Sequence, residues 1–189
     1  TQPMLRKKIM LAWAELIDKH AIELAVLGVR DNGTEISLAY KAEPMSAANT
    51  IRYYAEAIDK IYGEVAPTDP STLAMILKEP IGVVGAIVPW NFPLMISAWK
   101  IAPALAMGNS FILKPSEVAS LSVLRMVALA HEAGLPDGVL NVVTGAGPVS
   151  GRALAMSMDV DALAFTGSGF VGRTLLKAAA NSNLKRVFL

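Results

Sequence analysis

Apolar positions in the first sixty residues recur at helical spacing. Leu5, Ile9, Trp13, Leu16 and Ile17 share one side, with Arg6, Lys7, Lys8, Glu15 and Asp18 around the rest. This spacing predicts an amphipathic helix. Residues 21–27 extend or follow it, and Asp31-Asn32-Gly33 marks a turn. A second helix is predicted over residues 46–62, capped by Ser46, with Ile51, Tyr54, Ala55, Ile58 and Ile61 on its apolar side. The run PTDPS at 67–71 then breaks the chain. It sets the expected boundary between a helical region, 1–67, and a second domain, 68–189.

Beyond the break the period shortens. Residues 73–77 and 81–88 read as strands separated by Lys78-Glu79-Pro80, which predicts a β-hairpin over 71–88. From Pro89 onward strand-like and helical patterns alternate. Helices are predicted over 93–107, 120–133, 148–158 and 168–181. Strands are predicted over 110–113, 139–143, 162–165 and 185–188. Repeated strand–helix–strand units imply an α/β fold: a parallel sheet with helices on both faces, preceded by N-terminal helices and the hairpin. Ligands of such sheets sit beyond the carboxyl ends of the strands. The segments after Val88, Leu113, Val143 and Phe165 are therefore where chemistry is expected.

Composition narrows the function classes. Hydrophobic residues make up 53% of the 189 and charged residues 17%, which excludes a disordered chain. The 17 basic and 16 acidic residues leave a net charge of +1, with no signal for nucleic acid or an anionic membrane. The uncharged run 81–99 is long enough to span a bilayer, but Pro89, Asn91 and Pro93 interrupt it, so it reads as strand, turn and helix. No secretory signal opens the sequence, and a cytoplasmic protein is expected. There is no cysteine, so a disulfide, a thiolate metal ligand and a thiol nucleophile are all excluded within these residues. His20 and His131 stand apart from each other and from any cluster at ligand spacing, and no metal site is expected.

Four segments carry candidate chemistry. FTGSGFVG has Gly167, Gly169 and Gly172 at G-x-G-x-x-G spacing, with Ser168 between them, after a strand and before a helix. It is either an anion cradle at a helix N-terminus or a turn whose glycines serve close packing. The usual fingerprint also asks for an acid about 20 residues later, which this chain does not supply. LKPSE places Lys114 and Glu117 after the strand 110–113; they are either ribose ligands or a solvated loop. VPWNFP sets Asn91 between two prolines, either as a preorganised oxyanion donor or as a side chain bonded to its own turn. TGAGP, 144–148, is a glycine turn open to a flat ligand. Lys100, in an apolar helix, is either functional or snorkelling.

The ordered series PWNFP, WKIAPALAMGN, ILKPSE, EAGLPDGVLNVVTGAGP and FTGSGFVG resembles the aldehyde dehydrogenase superfamily, and LRKKIMLAWAELIDKHAIELA resembles its early helical region. IRYYAEAIDKIYGEV is similar to the branch that oxidises amino-aldehydes, such as gamma-glutamyl-aminobutyraldehyde or betaine aldehyde. The resemblance implies an altered Rossmann-like sheet that binds NAD, with NADP also possible. Ser168, beside Gly167, would contact the pyrophosphate, and Lys114 and Glu117 would hold the adenosine ribose. Val88, Pro89, Trp90 and Phe165 would line the groove, and Gly147 would flank the adenine side. Gly169 and Phe170 replace a threonine–glutamate pair of the family's turn, a change expected to loosen the helix start and weaken cofactor binding.

The family's reaction is oxidation of an aldehyde to an acid. A cysteine attacks, the amide matched here by Asn91 stabilises the oxyanion, and a glutamate activates water. That glutamate follows a strand like LKRVFL in the family, and the cysteine lies beyond it. This sequence ends at Leu189, so a cofactor-binding portion inactive by itself is expected. The alternative is a dinucleotide-binding or interaction module with no turnover. The resemblance also implies a homo-oligomer, paired through the hairpin.

Overall fold

The computed structural model describes residues 2–189. It opens with four helices: α1 (Pro3–Lys19), α2 (Ala21–Asn32), α3 (Ile36–Lys41) and α4 (Glu43–Ala57). Pro3 stands in the first turn of α1, where its missing N–H costs nothing. Gly33 ends α2 in the left-handed region, at φ 74°, so the expected Asp31-Asn32-Gly33 turn is a helix C-cap. The expected helix over 46–62 is shifted. It starts at Glu43, with Pro44 in its first turn, and gives way to a 3-10 turn at Ile58–Lys60. Ser46 is therefore interior rather than a cap, and its carbonyl accepts from the Thr50 hydroxyl. Pro44 moves the start, because its fixed φ suits a first turn and not an interior one.

Two short strands follow, β1 (Glu64–Ala66) and β2 (Ala74–Ile76), and they pair with each other, Val65 opposite Met75. The expected hairpin over 71–88 does not form. The segment 81–88 contributes β3 (Val83–Ile87), which lies at the centre of a separate sheet. The difference follows from burial. Val84, Ala86, Ile87 and Val88 are all buried, and a strand apolar on both faces belongs inside a covered parallel sheet. Leu73, Met75 and Leu77 remain exposed on the hairpin.

The rest alternates: α5 (Pro93–Ala106), β4 (Ser110–Lys114), α6 (Leu121–Glu132), β5 (Leu140–Val142), α7 (Arg152–Met156), β6 (Ala162–Phe165), α8 (Gly169–Ala180) and β7 (Arg186–Phe188). All five strands of the main sheet run parallel in the order β5-β4-β3-β6-β7. The chain winds outward from β3 through β4 to β5, then returns to lay β6 on the other flank of β3. The strand order therefore reverses between β3 and β6.

Each face of the sheet has its own core. On one face Val84, Ala86, Phe111, Leu113, Leu140 and Ala162 meet α5, α6 and the N-terminal helices. On the other, Ile87, Leu163 and Phe165 meet Leu154, Ala155 and Leu175 of α7 and α8. The N-terminal helices form a further layer, α4 lying along α5, and α1 against α4 and α6. Trp13 of α1 is buried, and its indole N–H donates to the Met126 carbonyl of α6 at 2.8 Å. Leu5, expected on the buried side of α1, is exposed.

Lys7 ties α1 to the end of α4, with its ammonium 2.7 Å from Glu56 and 2.9 Å from Asp59. Hydrogen bonds from Lys60 and then Lys7 hold the Asp59 carboxyl down from an ordinary 3.8 to about 2. A depressed folded-state pKa gives stability that is present above 3.8 and lost as pH falls toward 2. Asp59→Asn is therefore expected to flatten the acid limb of a plot of urea midpoint against pH. An unchanged slope between pH 4 and pH 2 would refute the assignment.

Candidate functional site

The carboxyl ends of β4, β3 and β6 bring most of the expected residues into one row. Ile87 stands opposite Lys114 on one side and opposite Phe165 on the other. Adjacent strands lie about 4.8 Å apart, so Lys114 and Phe165 are roughly 10 Å apart across β3. The ladder continues past the strand ends. The Val88 N–H donates to the Lys114 carbonyl at 3.1 Å, and the Thr166 N–H donates to the Ile87 carbonyl at 3.1 Å. Val88 is buried, Pro89 half-buried, and Trp90 and Asn91 exposed.

On the β4 side the Lys114 side chain is buried, and its ammonium donates to Glu117 Oε2 at 3.2 Å. The Glu117 side chain is 52% exposed. Its own backbone N–H, then the Lys114 ammonium and the Gly147 N–H, hold its carboxyl below the usual range. It is ionised at neutral pH, with lone pairs free to accept from hydroxyl groups. Gly147 is thereby joined to the same cluster, at the head of the turn Gly147–Gly151 that leads into α7.

On the β6 side the glycines differ in what their missing Cβ spares. A Cβ on Gly167 would lie 2.5 Å from the Phe165 ring, and one on Gly172 would lie 3.2 Å from Leu189 and 3.7 Å from Phe165. Phe165 is buried beneath the turn, so Gly167 is bare because the ring passes under it. Ser168 is the N-cap of α8, its Oγ accepting from the Val171 N–H at 3.3 Å. The hydroxyl proton remains available. The first-turn N–H groups of α8 have no acceptor within the helix, and its dipole favours an anion there. Gly169 and Phe170 do not prevent the helix from starting at Gly169, and Phe170 points to solvent, 78% exposed.

Asn91 occupies the turn between β3 and α5. Its side chain makes no hydrogen bond among the described residues, so it is not spent on its own turn. Beside the flanking prolines, two long-range partners that no spacing along the chain signals hold this turn. Asn32 Nδ2 donates to the Trp90 carbonyl at 2.9 Å. Glu43 Oε2 accepts from the Leu94 N–H at 2.8 Å and the Met95 N–H at 3.3 Å. Nothing in the spacing of α4, which also carries Arg52 and Glu56, marks Glu43 as a buried carboxylate.

Lys100 lies away from the row, in an apolar groove of about 510 Å³ with Trp99, Met107 and Phe188, where burial lowers its pKa. A second cavity, of about 340 Å³ between Arg6, Met10, Asn109 and Leu135, sits at the opposite end of the strands. Among the described residues no helix is long and apolar enough to cross a membrane, and no group of three or more His, Cys, Asp or Glu could hold a metal ion.

A parallel sheet whose order reverses beside a serine-capped helix and a lysine–glutamate pair places the chain among the doubly wound α/β proteins. The family model for the aldehyde dehydrogenase family matches residues 1–189, and the chain belongs to that family. The NADP/NAD-dependent aldehyde dehydrogenase PuuC of Escherichia coli (strain K12) is 56% identical over the whole chain, which covers 38% of that relative. The gamma-glutamyl-gamma-aminobutyraldehyde dehydrogenase of Burkholderia cenocepacia J2315 superposes with a TM-score of 0.96 at 49% identity, over 99% of this chain and 38% of its own. An indole-3-acetaldehyde dehydrogenase solved with NAD+ gives 0.97 at 48% identity, with the same coverage. The chain thus spans about two-fifths of the length of the relatives it matches.

Proposed function

We propose that these residues are the cofactor-binding part of an NAD(P)-dependent aldehyde dehydrogenase acting on amino-aldehydes. The observation that carries this reading is the row at the strand ends, with Lys114 and Glu117 at one end and Phe165, Gly167 and Ser168 at the other. Its span of roughly 10 Å suits the adenosine ribose at one end and the pyrophosphate at the other. Glu117 would accept from the ribose hydroxyls while Lys114 donates. The ionised carboxylate favours a free 2′-hydroxyl, and so NAD, over a 2′-phosphate. Gly147 would leave room on the adenine side. Val88, Pro89 and Trp90 would form the floor leading to the nicotinamide end. The bound nicotinamide supplies the hydride acceptor, and this chain's contribution to chemistry is the Asn91 amide, aimed to donate to a developing oxyanion. The 189 residues hold no cysteine, so they are not expected to turn over aldehyde by themselves. The amino-aldehyde assignment rests on the similarity of IRYYAEAIDKIYGEV and on the Burkholderia relative.

Calorimetric titration of the chain with NAD+ tests the reading. Saturable heat is expected, and Ser168→Ala should weaken binding by about 10-fold or more, the loss of one hydroxyl donor to a charged acceptor. The same substitution removes the α8 cap and should cost about 1 kcal/mol of stability. A flat titration of folded chain would end the cofactor assignment. The β1–β2 hairpin supports a second role in assembly, since Val65, Leu73, Met75 and Leu77 are exposed on it. Sedimentation of the chain would register this as a homo-oligomer.

A further inference from the structure

The turn that carries Asn91 is held by side chains from the N-terminal helices. α5 begins directly after this turn, and its own N-cap, Phe92, makes no side-chain capping bond. The first-turn N–H groups of a helix need acceptors from outside it. Here the acceptor comes from 51 residues earlier: Glu43, at the start of α4, takes both the Leu94 and the Met95 N–H on one oxygen. Glu43 is 4% exposed. A carboxylate buried that far carries a desolvation cost, which the two N–H groups and the positive end of the helix dipole offset. Four residues before Met95, Asn91 stands exposed with an unbonded side chain. On its other side the Trp90 carbonyl is gripped by Asn32, whose own Oδ1 is fixed by the Thr34 N–H at 2.9 Å and the Thr34 hydroxyl at 2.6 Å.

We infer that Glu43 and Asn32 are positioning residues for the Asn91 amide: one fixes the backbone just after the turn, the other the backbone just before Asn91. Neither touches the Asn91 side chain. Both act through the main chain, and an amide that must donate to a developing charge depends on such preorganisation. The inference rests on reading Asn91 as the oxyanion donor.

The test is made on the whole chain by NMR. The Asn91 side-chain amide pair is identified by its loss in Asn91→Ala. In Glu43→Ala the Leu94 and Met95 backbone amides should exchange about 10-fold faster, and the Asn91 pair should move from its wild-type shifts as the turn beneath it changes. Glu43→Gln, which keeps an acceptor oxygen, should restore both. In Asn32→Ala the Asn91 pair should move while Leu94 and Met95 keep their protection. A purely structural Glu43 would change exchange and thermal midpoint but leave the Asn91 pair in place, because the two side chains do not touch. An unchanged Asn91 pair in folded Glu43→Ala and in Asn32→Ala overturns the inference, as does failure of Glu43→Gln to restore it. Should Glu43→Ala not fold, Asn32→Ala and Glu43→Gln decide by the same criteria. A flat NAD+ titration alongside intact Asn91 responses would remove the cofactor reading and leave the positioning role standing.

Discussion

Glu117→Ala is expected to weaken NAD+ binding by about 10- to 100-fold, the range for losing hydrogen bonds to a charged acceptor, 1.5–3 kcal/mol. Two effects combine. The ribose loses its carboxylate, and the Lys114 ammonium, whose side chain is only 3% exposed, loses the one partner seen among the described residues. The pair is half open to water on the Glu117 side, so the stability cost should stay near 1 kcal/mol and not reach that of a fully buried pair. Glu117→Gln separates the two effects. It keeps acceptor geometry and removes charge, so affinity should fall by less, and discrimination against NADP+ should relax. Calorimetry with both dinucleotides provides the measurement. Equal affinities for wild type and Glu117→Ala would mean that the ribose lies elsewhere.

Gly167→Ala should destabilise the chain by about 1–3 kcal/mol, the usual cost of forcing extra volume into a packed core. The new methyl would stand 2.5 Å from Cζ and 2.9 Å from Cε2 of Phe165, and the ring is buried among the residues beneath α8. Either the ring or the turn must move. Moving the turn displaces Ser168, so affinity for NAD+ should fall together with the thermal midpoint. Gly172→Ala is the comparison. Its nearest contacts are 3.2–3.3 Å to the Leu189 side chain, which lies at the exposed end of β7, so its effect should be small. If Gly167→Ala melts like wild type, the glycine is there for the ligand and not for Phe165.

Several elements were legible because their signals are local. Gly33, Gly108 and Gly134 end α2, α5 and α6 with positive φ, as residues without a Cβ do best. The alternation of apolar strands and amphipathic helices from Pro89 onward gives a parallel sheet. Lys114 and Glu117 stand just past a strand end, where ligands of such sheets sit, and they meet there as an ion pair. Two expectations misplaced an element. Helix α4 was displaced by Pro44. The hairpin over 71–88 was drawn between segments adjacent in sequence, whereas Glu64–Ala66 was the partner that β2 took.

By itself the sequence determined the α/β class, the order of strands and helices from Pro89 onward, and the stretches that end strands with chemistry-bearing residues. These follow from hydrophobic period and from proline and glycine, all short-range properties of the chain. Tertiary structure alone decided that β3 lies between β4 and β6, so that Lys114 and Phe165 flank Ile87. It also decided that Gly167 is bare for a buried ring, and that Glu43 caps a helix 51 residues away. Those facts depend on which surfaces meet once apolar faces are buried, and no spacing along the chain encodes that meeting.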